Sequence, residues 1–159
     1  APAAQGGRFA NVLAAGSKEG AANIASQART IRNAGVAAAS ANVSIEQTVG
    51  LIETLAEKGI KDEVAGTGLK KFFLVLQTGA DETNPKIVGL NQALDNLAAK
   101  NMGAKAIKDM FGEEGYNVAS VIMQDIDKVK EKTTPTRRHR HQHCLRAGRH
   151  QQQYRCCSP

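Results

Sequence analysis

Between Ser44 and Gly79 the chain carries two apolar stripes at helical spacing, each closed by a glycine. In SIEQTVGLIETLAEKG, Ile45, Val49, Ile52 and Leu55 share one helical face, Ser44 and Gln47 have the spacing of a capping box, and Gly59 suits the position just past the last turn. In KDEVAGTGLKKFFLVLQTG, Ala65, Leu69, Phe72, Phe73 and Leu76 repeat the pattern, with Gly79 as the stop. Such a chain folds by packing helices, because no segment alternates at period two for long enough to argue a sheet. Gly66 and Gly68 cost the second helix up to about 1 kcal/mol each relative to Ala. Their expected use is close helix approach, or a turn before the helix proper.

The remaining phrases obey the same logic. After the polar break ADETNP, Pro85 fits a first helical turn, and Ile87, Leu90, Leu94 and Leu97 are expected on one face. The short segment AKAIKDMFG ends at Gly112, and GYNVASVIMQDIDKVKEK then sets Val118, Val121, Ile122, Ile126 and Val129 as a stripe with charges opposite. Residues 8–42 are Ala-rich, with Phe9, Val12, Leu13, Ile24, Ile31 and Val36 as the larger apolar anchors. With 4% aromatic residues and no Trp, the core must be built mainly from Ala, Leu, Ile and Val, which suits thin, closely packed helices. The expected class is all-α: short amphipathic helices joined by Gly and Asn turns, as a bundle or an extended module.

Charge divides the chain. All 15 acidic residues and 15 of the 21 Lys and Arg lie at or before Lys132, so residues 1–132 are neutral and the net +6 belongs to residues 133–159. All four His and all three Cys (His139, His141, His143, His150, Cys144, Cys156 and Cys157) also lie after Lys132. Three regions are therefore expected: an N-terminal linker over 1–7, a helical module over 8–132, and a disordered basic tail over 133–159. The module offers no thiolate, no imidazole base and no His/Cys metal site. APAAQGGR lacks the apolar region of a signal peptide, and no run reaches the roughly 18 apolar residues of a membrane span. We expect a soluble chain, and, since it opens at Ala1 within an Ala/Gly-rich phrase, a piece of something longer.

Sharper chemical readings find little support. GTG at 66–68 and MGAK at 102–105 have neither the spacing of a phosphate loop nor a preceding strand. Asp62 with Glu63, Asp81 with Glu82, and Glu113 with Glu114 could supply acid/base pairs, but all fall at expected helix starts or loops, where acids favour the helix dipole. No catalytic, cofactor-binding or metal site, and no cofactor or small-molecule substrate, is expected in the module.

The ordered set VSIEQTVGLIETLAEKGIKDEVAGTGLKKFFLVL, NQALDNLAAK, MFGEEG and VASVIMQDI, with FANVLAAGSKEG upstream, resembles the core region of phage tail tape measure proteins of the TP901 type. The resemblance covers about residues 8–132. It implies a structural module of a phage or prophage tail protein that is threaded through the tail tube and whose length sets tail length. The implied partners are tail tube and tail assembly chaperone proteins and helical copies of the chain itself. The implied location is the virion tail, reached from the bacterial host cytoplasm during assembly.

Such proteins continue with Gly/Thr-rich and then Ala/Asn-rich helical sequence. Read one nucleotide later with permitted synonymous codons, RRHRHQHCLRAGRHQQQYRCC becomes GGTGTSTASEQAVINNNTAAA, so the tail is expected to lie in a non-native reading frame and is set aside from fold reasoning. Two rivals remain. In one, the chain is an all-α protein-interaction module whose native tail binds metal through its His and Cys, or nucleic acid through its Arg cluster. In the other it is an all-α enzyme domain, such as a peptidoglycan-cleaving module, against which stands the lack of His, Cys or a convergent acid pair before residue 133.

Overall fold

The computed structural model describes residues 2–134, and those residues form eight α-helices, one 3-10 turn and no strand. The helices are α1 (Pro2–Glu19), α2 (Ile24–Ser40), α3 (Ile45–Glu57), α4 (Asp62–Thr78), α5 (Pro85–Val88), α6 (Leu90–Ala99), α7 (Ala104–Gln124) and α8 (Ile126–Thr133), with the 3-10 turn at Asp81–Thr83. The class is all-α, as the periodicity requires.

Local chemistry fixes several boundaries. Ser44 and Gln47 complete both arms of a capping box at 3.1 and 3.2 Å, and the Asn23 side chain caps α2 by accepting from Ser26 N at 2.8 Å. Gly59, at φ 82°, ends α3 in a Schellman motif: the Ile60 N–H donates to Leu55 O, and the Gly59 N–H to Ala56 O, both at 3.0 Å. Asn42, at φ 59°, ends α2 the same way, with Val43 N donating to Ala38 O.

Packing centres on α4, where Ala65, Leu69, Phe72, Phe73 and Leu76 are wholly buried. Phe72 stacks on Phe111 of α7 at 5.2 Å and meets Phe73 edge-on. Gly66 and Gly68 sit inside α4, one against each neighbour, so the close-approach reading holds and the turn reading does not. A Cβ on Gly66 would lie 2.8 Å from Asn33 Cβ of α2, and one on Gly68 would lie 2.3 Å from Val118 Cγ2 of α7. The order of contacts makes α2 parallel to α4 (Thr30 with Asp62, Ser40 with Gln77) and α7 antiparallel to it (Gly68 with Val118, Phe72 with Phe111).

Helix α3 is buried from Thr48 to Ala56 because α1, α2, α7 and α8 all pack against it. Helix α1 runs parallel to it, with Arg8 near Glu46 and Gly20 near Glu53, and α8 runs antiparallel, with Lys128 near Glu57 and Lys132 near Gly50.

Four expectations change. The stripe from Ile87 to Leu97 is broken by Gly89 at φ 84°; Leu90, Leu94 and Leu97 are buried but Ile87 is 59% exposed. Phe9 is exposed on α1, and Ile24 and Val36 are exposed because α2 buries its small and polar side, Ser26, Gln27, Thr30, Ala34, Ala37 and Ala38, and so comes closer to its neighbours. The stripe from Val118 to Val129 is interrupted at Asp125, which separates α7 from α8. Residues 2–7, read as linker, are already helical within α1, and α8 carries the body past Lys132 to Thr133. The break expected at Gly112 is present: at φ 71° it kinks α7 between 104–111 and 113–124.

Candidate functional site

The adjacent acids do not converge. Asp62 and Glu63 occupy the first turn of α4, where Asp62 pairs loosely with Arg29 at 3.4 Å. Asp81 and Glu82 lie in the 3-10 turn, with Glu82 bonded to Lys100 at 2.9 Å. Glu113 and Glu114 come directly after the Gly112 kink, and Glu113 meets Lys108 at 2.8 Å. That hydrogen bond and charge hold the Glu113 carboxyl below the usual carboxylate range and raise the Lys108 ammonium. Each pair is a solvated helix start with its own cation. GTG at 66–68 is mid-helix, and MGAK at 102–105 leads into α7 with Gly103 as its N-cap.

The sequence did not reveal a buried polar cluster around Glu53, which is 5% exposed. Gln27 Nε2 donates to Glu53 Oε1 at 2.5 Å and to Ala22 O at 3.3 Å, and Ala22 N donates to Glu53 Oε2 at 3.3 Å. The carboxylate thus ties the turn between α1 and α2 to α3. Gly20 makes room for it, since a Cβ there would overlap Oε2. Lying between Ile52 and Thr54, Glu53 reads from sequence as part of a solvated face. Its neutral donors and enclosure give it a fastening role rather than access to a substrate.

A second polar arrangement holds α8. Glu57 of α3 takes Lys128 and Lys132, each at 2.5 Å; Asp95 of α6 takes Lys130 at 2.7 and 2.8 Å; Lys58 stands 2.9 Å from Asp125. Hydrogen bonds from Lys128 and then Lys132 hold the Glu57 carboxyl below the usual range, and Glu57 raises the Lys128 ammonium in return. Thr133 Oγ1 donates to Asn91 Oδ1 at 2.9 Å. Only Val129 and Thr133 of α8 are buried.

The surface offers two shallow grooves beside Tyr116, of about 410 and 320 Å³, lined by Lys105, Lys108 and Glu113 in one and by Met102, Ile107 and Met123 in the other. Among the described residues no group of three or more His, Cys, Asp or Glu is placed to hold a metal ion, and no helix is long and apolar enough to cross a membrane. The tail residues His139, His141, His143, Cys144, His150, Cys156 and Cys157 lie outside the described residues. The exposed large apolar side chains are distributed over α1 (Phe9), α2 (Ile24, Val36), α4 (Val64, Leu74) and α5 (Ile87).

Closely packed helices, polar groups committed to holding them together and apolar side chains left at the surface define the class: an all-helical structural module. The chain belongs to the phage-related minor tail protein family, whose model matches residues 1–141. Its role is structural, in a phage tail. No curated protein and no solved structure matches it.

Proposed function

We propose that this chain is a module of a tape measure protein, which sets tail length and supports tail assembly without catalysing a reaction. The observation that carries the reading is the family match across an uninterrupted series of helices. An α-helix rises about 1.5 Å per residue, so helical chain length converts into distance along a tube. Residues 2–134 would span roughly 200 Å as continuous helix. Folded as a bundle, a chain of that size has a radius of gyration of only about 14 Å. The ruler reading therefore requires the bundle to open within the tube, against tube proteins, an assembly chaperone or other copies of the chain.

Cross-linking and mass spectrometry of purified tails test this placement. Peptides from 2–134 should be recovered linked to tube proteins; their absence from purified tails would overturn the reading. The proposed shifted frame after Thr136 has its own check in the coding DNA, which should show Gly, Thr, Ala and Asn codons in the alternative frame. A native tail would instead confer zinc or DNA binding that chain truncated after Thr134 lacks, and that result would favour the interaction-module alternative.

A further inference from the structure

We propose that α8 is an exchangeable arm: the seat formed for it by α3 and α6 accepts α8 from a second copy of this chain, with Asp125 as the hinge. The residue pattern predicts one helix where the fold has two. Val118, Val121, Ile122, Ile126 and Val129 keep 3.6-residue spacing straight through position 125, yet Asp125 sits at φ −118°, ψ 38°, and α8 leaves the α7 axis there. The interruption is a single residue, neither Gly nor Pro. Helical bonds persist on both sides of it, from Asp125 N to Val121 O at 3.2 Å and from Val129 N to Asp125 O at 2.9 Å. Asp125 gives α8 no side-chain cap, and the N–H groups of its first turn would gain intrahelical carbonyl acceptors on straightening.

The seat is separable from the hinge. Lys128 and Lys132 pair with Glu57, Lys130 with Asp95, and Thr133 with Asn91, all on α3 or α6 and none on α7. The α8 backbone presses on Gly50, where a Cβ would meet Lys132 O at 2.6 Å. An α8 arriving from another copy presents the same three ammonium groups to the same two carboxylates and the same Val129 and Thr133 to the same cover. Exchange therefore preserves every seat contact and adds helix continuity at each hinge, opposed by the entropy of association and by the Lys58–Asp125 pair that favours the bent hinge, so it grows with concentration. This inference does not depend on the length-setting role.

The native ion pairs supply the test. Full-length heavy-nitrogen-labelled and unlabelled chains are mixed over a concentration series and coupled with a carbodiimide, which joins a carboxylate to an ammonium in contact with it. The expected products are mixed-isotope peptides joining Glu57 to Lys128 or Lys132, and Asp95 to Lys130, in proportions that rise with concentration. Asp125→Ala favours the straight hinge by about threefold on helix propensity and also removes the Lys58 pair of the bent form, and a dimer has two hinges, so its dimerisation constant should rise by at least about tenfold. Same-isotope products alone, at every concentration and in both proteins, would overturn the proposal. So would mixed-isotope products equally abundant between groups that the fold keeps apart, such as Lys18 and Glu63.

Discussion

Gly68 decides how closely α4 and α7 approach. Ala there gains up to about 1 kcal/mol of helix propensity, but its methyl would stand 2.3 Å from Val118 Cγ2 and 3.1 Å from Glu114 O, so overpacking dominates. Gly68→Ala should lower unfolding stability in urea by about 1–3 kcal/mol. Gly7, inside α1 with open space around it, provides the contrast: Gly7→Ala should be neutral or stabilising by up to about 1 kcal/mol. Equal effects at the two positions would remove the close-approach argument. Glu53→Ala strands the Ala22 N–H inside the fold and removes one of the two acceptors of Gln27 Nε2, and should cost about 1–3 kcal/mol in the same measurement. The glycines were legible as candidates for close packing, since an internal glycine in a helix needs a reason. Glu53 was not, because its burial depends on α1 and α2 folding over it.

At the level of elements, α3 and α4 were the most legible, since their caps and stripes are local and each stripe faces the core. Helix α2 was least legible: Ile24 and Val36 point outward while Ile31 packs at the core's edge, and its core face is Ala, Ser, Thr and Gln, a choice made by how near α3 and α4 come. The break at Asp125 has neither Gly nor Pro to announce it. Ser44→Ala removes one arm of the α3 capping box and should cost about 1 kcal/mol. Docking of α8 should respond to acid. The Glu57 carboxyl ionises below its ordinary 4.5 in the folded chain, so its contribution is complete above that value and is lost as pH falls through the folded pKa. Amide exchange in α8 should therefore accelerate below about pH 4.5, and Glu57→Gln should remove most of that dependence. Unchanged acid dependence in Glu57→Gln would contradict the assignment of that dependence to Glu57.

For the whole molecule, the helical class and most of its order come from periodicity, whereas the bundle's arrangement comes from which glycines and small residues meet. The ruler reading asks this bundle to become length. Its test is tail length in electron micrographs after in-frame deletion of codons 2–134 from the gene that encodes the intact tail protein. The account predicts assembled tails shorter by roughly 200 Å, at about 1.5 Å per residue removed. Assembled tails of unchanged length would contradict it.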